Sequence, residues 1–493
     1  MVIEGEYIKL IFGLKLRQVR TERNLSLFGL AKLTDLSKSY LNEIEKGKKY
    51  PKTDKIVLLA EHLEVSYDHL VSLKLDKNLA PIGEILQSGI LKEIPLDLFG
   101  IHEGDLIDII ANAPAKVNAF ISTLVEISQH YNLSRESFFL ASLRSYQEAQ
   151  NNYFDDLEDK VVQFAKAYQV NLNKMIDSEE LKEILIEEYG YTINDDELSE
   201  QQELENLRSI YVAKTKTLLI TRDIDEAQKA FIFAKEIAYN YLKITDRLFT
   251  FSWIKFENFD QVLNNFYASY FAGALTIPRA KLVEELNGFL ANKKYNAALF
   301  VEMMQKFNAS PESFYQRLTN ILPKDFQLKN LFFLRLTHRI GSDKYQLKKE
   351  LHITHQQEPH ANEMNEHYCR RWVAIHTINE MERSAKQHVF DAQISQYENS
   401  KNEYLVLSSA TPDPFRNNYL RSISVGILIT PALKNKFKFI DDPIIKKQIV
   451  GVTCETCAVK DCLERVTPPL QLERKNKNLK TENLVQNLMS KFS

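Results

Sequence analysis

The chain has 493 residues, 44% of them hydrophobic and 26% charged, with a formal net charge of -3. That length predicts about three or four domains, and the near-neutral charge excludes a protein that grips nucleic acid over its whole surface, so any DNA contact must be local. No stretch approaches the length of a membrane span and the start, Met1-Val2-Ile3-Glu4, is acidic without an apolar leader, so the expected compartment is the cytoplasm.

In chain order, Leu10, Leu14 and Leu16 predict a supporting helix. Leu27, Leu30 and Ala31 then share one side of a short helix, Leu36-Ser37 makes a turn with Ser37 as N-cap, and Tyr40, Leu41 and Ile44 share one side of a second helix that Gly47 stops. After Pro51, the positions Ile56, Leu59, Ala60 and Leu63 bring in a further helix. Residues 7–72 therefore resemble the phage-repressor type of helix-turn-helix domain, whose second helix lies in a DNA major groove. Lys38, Ser39, Tyr40, Asn42 and Glu43 are the expected reading residues, and Lys46, Lys48, Lys49, Lys52 and Lys55 are placed to meet phosphates. A carboxylate facing phosphate would be repelled, so Glu45 is assigned instead to an internal pair with Arg17 or Arg20.

Residues 73–115 carry Pro81, Gly83, Gly89, Pro95, Gly100, Gly104 and Pro114, the signature of a linker and irregular region. From Lys116 to about Asn171 apolar residues recur at three- and four-residue steps (Phe120, Leu124, Ile127; Phe138, Leu143; Leu157, Val161, Phe164), with a capped loop at Asn132-Leu-Ser134. This helical block would either pair subunits or serve as domain core. Residues 177–205 hold twelve acidic residues and one lysine, a solvated helix and loop broken at Tyr189-Gly190-Tyr191.

A strand at residues 216–220 precedes a helix at 225–242 containing Lys235-Glu236-Ile237-Ala238-Tyr239. In position this resembles the helix of a zinc metallopeptidase, where His-Glu-x-x-His holds zinc and the glutamate activates water. The two histidine places are Lys235 and Tyr239, and an ammonium cannot ligate zinc. The chain is therefore expected to be no enzyme, with this domain reused as a scaffold. The next helix, ending at Pro278, contains Ala268, Ala272 and Gly273, which predict close packing. A helix pair follows at 293–307 and 310–322, with Pro311 and Glu312 suited to the second start.

Beyond it, Phe332 to Leu336, Tyr404 to Ser408 and Ile423 to Ile429 read as strands, the last two joined by a loop with Pro412, Pro414 and Arg416. His338, His352, His355, His360 and His367 are spaced too irregularly for a metal site and are expected at the surface or in loops. Residues after about 473 predict a short terminal helix or a tail. The expected architecture is multidomain: mainly α, with a helix-turn-helix at 1–75, a linker and helical spacer at 76–175, a degenerate metallopeptidase-like domain at 176–323, a C-terminal α+β sensor domain at 324–475 and a tail at 476–493.

The chain has four cysteines, and three of them fall in Cys454-x2-Cys457-x4-Cys462, with Cys369 the fourth. A reducing compartment argues against disulfides and for a metal centre, and the spacing alone suits structural zinc or an iron–sulfur cluster equally. Together with Arg465, Pro468, Pro469 and the upstream Cys369-x-Arg371-Trp372, the motif is similar to the C-terminal domain of bacterial short-chain fatty acyl transcriptional regulators. The resemblance spans nearly the whole chain, with the three domains in the same order. It implies a 4Fe-4S cluster held by Cys369, Cys454, Cys457 and Cys462. It implies a short-chain acyl-CoA such as propionyl-CoA as effector, and control of propionate or acetate genes. The chain departs from that family at Ser408-Ser409-Ala410, where an Ala-Arg-Thr-like sequence is expected. An acyl-CoA site needs cations for its phosphates, and Arg335, Arg339, Lys344, Arg371 and Arg416 are candidates by composition. The expected partners are double-stranded operator DNA and a second copy of the chain, as a homodimer, with no membrane contact. The alternative is a phage- or toxin–antitoxin-type repressor with structural zinc and a protein partner, or, further off, a metal-dependent peptidase.

Overall fold

The computed structural model describes residues 5–72, 135–200, 204, 207–247, 258–353, 367–384, 386–398, 402–414 and 416–492. The expected linker, the apolar steps at Phe120, Leu124 and Ile127, the loop at Asn132, and His355 and His360 lie outside these residues. The chain divides into two compact units, residues 1–142 with 256–259, and residues 143–255 with 260–493.

The first unit begins with five helices: α1 (Gly5–Glu22), α2 (Leu27–Thr34), α3 (Lys38–Glu45), α4 (Thr53–His62) and α5 (Tyr67–Val71). Serine starts three of them. The Ser26, Ser37 and Ser66 side chains accept hydrogen bonds from the backbone N–H groups of Gly29, Tyr40 and His69, satisfying donors that a helix start leaves open. Phe12, Leu16, Val19, Leu30, Leu41, Ile44, Ile56, Leu59, Leu63 and Leu70 close one core. Gly47 ends the unit's third helix at a φ of 67°, a conformation a side chain disfavours.

The helix α6 (Arg135–Ala149) crosses the division between the units. Within the second unit, α7 (Asp155–Ala167), α8 (Ser178–Glu187), α9 (Glu226–Tyr241) and α10 (Phe259–Thr276) pack around a three-stranded sheet. Its strands β1 (Thr192–Asn194), β2 (Ser209–Val212) and β3 (Thr217–Ile220) run in the order β1-β3-β2, β1 parallel and β2 antiparallel to β3. The acidic segment thus contributes a helix and a short strand. Ala268 and Ala272 are fully buried as expected of close packing, whereas a methyl group at Gly273 would meet nothing within 4 Å. Gly273 is not a packing residue.

The remaining helices α11 (Arg279–Leu290), α12 (Ala297–Gln305) and α13 (Pro311–Asp325) cover one face of a six-stranded sheet. Its strands are β4 (Leu331–Arg339), β5 (Tyr345–Ile353), β6 (Val389–Tyr397), β7 (Glu403–Pro412), β8 (Tyr419–Leu428) and β9 (Lys446–Val450), in the order β5-β4-β8-β7-β6-β9, antiparallel except for β6 with β9. The Asn296 side chain caps α12 at Ala298, so this helix starts later than residue 293. Phe333, Leu407, Ile423 and Val425 point into a core with Phe300, Phe314, Tyr315 and Leu318 of the helices. The expected boundary between 323 and 324 therefore runs through a single core.

The opposite sheet face, with Leu334, Leu336, Val406 and Leu420, packs on α14 (Val373–Ser384). His338 and His352 are buried in β4 and β5, against the surface placement expected for them, because strand alternation turns both toward the sheet interior. Pro412 ends β7 and so belongs to the strand, not the loop. The short α15 (Pro431–Lys436) follows β8, and α16 (Leu470–Phe492) ends the chain with Leu479, Leu484 and Leu488 exposed. Among the described residues no helix is long and apolar enough to cross a membrane.

Candidate DNA interface, central helix cluster and thiol cluster

In the first unit, Leu41, Ile44 and Glu45 of α3 turn inward, leaving Lys38, Ser39 and Asn42 exposed and Tyr40 and Glu43 half-buried on the outer side. Glu45 is held by Arg20: Nε donates to Oε1 at 2.6 Å and Nη2 to Oε2 at 3.0 Å, a two-point pair that is almost fully enclosed. That pair fixes α3 on α1 and consumes the carboxylate, as the charge argument required. Lys46, Lys48 and Lys49 are exposed just past the helix, and the Lys49 ammonium lies 5.2 Å from the Tyr40 ring centroid. The outer face thus carries polar reading groups followed by a basic rim.

In the second unit, α9 places Lys235 and Tyr239 one turn apart. The Lys235 ammonium donates to Asn265 Oδ1 of α10 at 2.7 Å, and the Tyr239 hydroxyl donates to the same oxygen at 3.4 Å. An ammonium thus stands among the three side chains where a divalent cation would need free ligands. Burial depresses the Lys235 ammonium to about 8, with Glu236 opposing the shift. Glu236 is likewise engaged: Arg247 Nη1 donates to its Oε2 at 2.8 Å and the Tyr191 hydroxyl at 3.0 Å. Burial raises the Glu236 carboxyl despite Arg247. Arg247 also stacks over the rings of Tyr211 and Tyr239. These cations would repel Zn2+, and both hydrogen bonds to the glutamate fall on its Oε2. Asn265, Tyr191 and Arg247 escape sequence reading because they are distant from the motif in the chain.

The cysteines lie on the α14 side of the large sheet. Cys369 N–H donates to Val452 O at 3.0 Å and Cys454 N–H to His367 O at 2.8 Å, so a short antiparallel bridge at Tyr368 and Thr453 brings the two segments together. Gly451 N–H points at Cys369 Sγ, 3.4 Å away, and a methyl group at Gly451 would fall 2.9 Å from Cys457 Sγ. A side chain here would crowd the Cys457 sulfur. Cys369, Cys454 and Cys457 are each 6% exposed, and Cys462 is half-buried. Burial pushes the Cys369 thiol up to about 12, and the nearby Cys457 and Cys454 add to the rise. Arg465 clamps the loop by donating to the carbonyls of Cys454 and Cys457 at 2.9 and 3.2 Å, and to that of Val459. Glu398 accepts from the Cys457 thiol and from Ala458 N–H. Among the described residues, no group of three or more His, Cys, Asp or Glu side chains stands in metal-holding geometry. The donor chemistry nevertheless fits a sulfur-liganded metal: soft thiol donors, a glycine that makes space for sulfur, and an arginine near the charge that thiolates would carry.

The candidate arginines do not form one set. Arg335 faces α13, where Nη1 donates to Glu312 at 3.0 Å. Alternation in register with β8 puts Arg339 on that same face at the exposed strand end, opposite Tyr419. Arg416 bonds Asp413 at 2.9 Å and stacks on Tyr419. Arg371 lies instead on the cysteine side, donating to Ile449 O at 3.2 Å. Lys344 is exposed in the β4–β5 turn. At the departure from the expected Ala-Arg-Thr, Ser409 Oγ is 2.9 Å from the Tyr315 hydroxyl of α13 and Ser408 Oγ accepts from Ser424 on the opposite face. Both serines are fully buried.

Comparison with known proteins matches two parts of the chain to known families. The helix-turn-helix family matches residues 16–70, and the IrrE N-terminal-like domain of peptidase family M78 matches residues 187–319. The HTH-type transcriptional regulator PrpR of Mycobacterium tuberculosis is 20% identical over 94% of this chain and 93% of its own length. Among solved structures, a Mycobacterium tuberculosis transcriptional regulator is similar with a TM-score of 0.46 at 17% identity, covering 66% of this chain and 92% of that one. The restriction-modification controller protein C.AhdI of Aeromonas hydrophila is 33% identical over 14% of this chain and 98% of its own, with a TM-score of 0.13. The chain is a multidomain helix-turn-helix protein of the DNA-binding transcriptional-regulator kind, with an IrrE-like domain and a mixed α/β C-terminal region.

Proposed function

We propose that this regulator senses a short-chain acyl-CoA, propionyl-CoA or a close relative, and controls genes of short-chain fatty acid metabolism. In this reading it binds operator DNA as a homodimer and carries a 4Fe-4S cluster on Cys369, Cys454, Cys457 and Cys462. The observation that carries the reading is the convergence of Cys369 with Cys454 and Cys457 around Gly451, on a loop built for sulfur and attached to a DNA-reading unit. The likeness to PrpR along almost the whole length of both chains supports it. When bound, the cluster supplies redox and oxygen sensitivity. The residues around it orient the loop: Arg465 fixes its carbonyls, Trp372 Nε1 donates to Gly451 O at 2.9 Å, and His367 meets Glu455 at 2.8 Å. In the same reading the IrrE-like domain is a scaffold without peptidase activity, because Lys235 and Arg247 place positive charge where zinc would bind. Anaerobic purification tests the metal assignment. A brown chain with broad visible absorbance, iron and acid-labile sulfide is expected, and a Cys369→Ala chain should lose the colour. A colourless wild-type chain with one zinc would contradict the cluster and favour a structural zinc site.

A further inference from the structure

We infer that the α13-facing side of the large sheet holds a phosphate-binding site centred on Arg421, Arg335 and Thr337. The Glu312 carboxylate, in the first turn of α13, is shared by three cations: Arg335 Nη1 at 3.0 Å, Arg421 Nη1 at 3.1 Å and Lys349 Nζ at 3.9 Å. Asp413, itself bonded to Arg416, and Asp225 also act on Arg421, so the cluster sets the cations Arg335, Arg421, Lys349 and Arg416 against three carboxylates. Arg421 is only 5% exposed, and besides Glu312 its Nε donates to Thr411 Oγ1 at 3.2 Å, so its charge is buried beside the others. Crowding shows at the edge as well, where burial and then the charges of Arg416 and Arg335 depress the Lys348 ammonium. Among the described residues, two hydrogen-bonding groups beside these cations have no partner. The Thr337 hydroxyl is buried in a residue 3% exposed, and Thr337 is the register partner of Arg421. Arg335 Nε, two residues earlier on the same strand face, is also buried without an acceptor. Guanidinium forks with an open N–H, a hydroxyl and surplus charge are what a phosphate's several acceptor oxygens require.

The ligand class is a phosphate ester or diphosphate, and, resting on the proposed acyl-CoA reading, the site takes the effector's phosphates. Arg371, on the opposite face, has no part in it. Glu312 is then the internal stand-in for the anion, and α13 is the element a ligand would act on. The same helix is tied to the helices before the small sheet: Arg317 bonds Glu158 of α7 through both terminal guanidinium nitrogens, at 2.5 and 2.9 Å, and Asn320 donates to Asn152 O at 2.7 Å.

Calorimetric titration of the full chain with inorganic pyrophosphate, in chloride buffer, tests the site. Wild type should bind. Arg421→Gln should bind about tenfold more weakly, as expected for a lost charge-assisted hydrogen bond, and Thr337→Val should weaken binding to a smaller extent. Glu312→Gln, which removes the competing carboxylate, should bind more tightly, and pyrophosphate should raise its melting temperature more than that of wild type. Absence of binding by both wild type and Glu312→Gln would overturn the site, as would unchanged affinity in Thr337→Val and in a folded Arg421→Gln. Competition between pyrophosphate and propionyl-CoA supports the assignment to the effector; simultaneous binding of both overturns that assignment. Operator affinity unmoved by propionyl-CoA would sink the sensing reading while leaving the pyrophosphate result standing.

Discussion

Glu45 shows how one residue separates folding from recognition. It sits on the helix that faces DNA, yet its carboxylate is spent on Arg20 inside the unit. Replacing it by alanine strands an enclosed guanidinium, and the first unit should lose about 3 kcal/mol, read as a lower denaturant midpoint. Operator binding should recover at temperatures where the variant remains folded. Lys235 makes the opposite case. Its folded pKa, about 8, lies below the ordinary lysine value, so between pH 8 and that value the unfolded chain holds more protons than the folded one. Its contribution to stability therefore rises with pH through this window and is least favourable below pH 8. Lys235→Met should accordingly raise the melting temperature at pH 7 relative to wild type, by an effect on the order of 1 kcal/mol, and the gain should vanish toward pH 10.5. A gain independent of pH would mean that packing, not charge, is responsible.

At the scale of elements, the proposed interface divides the work of binding between α3 and the lysines after it. Lys48→Ala with Lys49→Ala should weaken affinity for all DNA sequences alike and flatten the salt dependence by roughly 0.9 in log–log slope per lost phosphate contact. Asn42→Ala should instead relax sequence preference, costing about 1–3 kcal/mol at the cognate site only. A uniform loss in Asn42→Ala would move it from reading to grip.

The same elements show what a sequence can reveal. The helix-turn-helix was legible because local signals agree: apolar steps of three and four, serine caps and a glycine stop act within a few residues. The gathering of three cysteines was legible for the same reason. Other elements hid behind their composition. Edge strand β5, Tyr-Gln-Leu-Lys-Lys-Glu-Leu-His-Ile, carries the charges that protect an exposed edge and so does not read as a strand. Strand β6 buries Gln393 and Ser395, whose polarity conceals its inner face, although Gln393 donates to Arg371 O and accepts from Ser395. The supports of each site were illegible because the fold brings them from afar: Glu398 reaches Cys457 across 59 positions and Glu312 reaches Arg421 across 109. Composition could nominate Arg335, Arg339, Arg371 and Arg416, but only the fold, which sets the turn before α14 against Ile449, shows that Arg371 belongs to the other face.

Over the whole molecule, the proposed function makes the second unit the input and the helix-turn-helix unit the output. Thiols lie on one side of the sheet and a cluster of cations on the other, while in the IrrE-like fold Lys235 and Arg247 occupy the neighbourhood of Glu236. Linkage demands that any effector altering operator affinity be altered equally by operator. The most direct measurement is therefore propionyl-CoA affinity of the anaerobic full-length chain, with and without saturating operator DNA, alongside operator affinity with and without saturating propionyl-CoA. The account predicts a change in both, by the same factor. Equal affinities in all four titration states would contradict it.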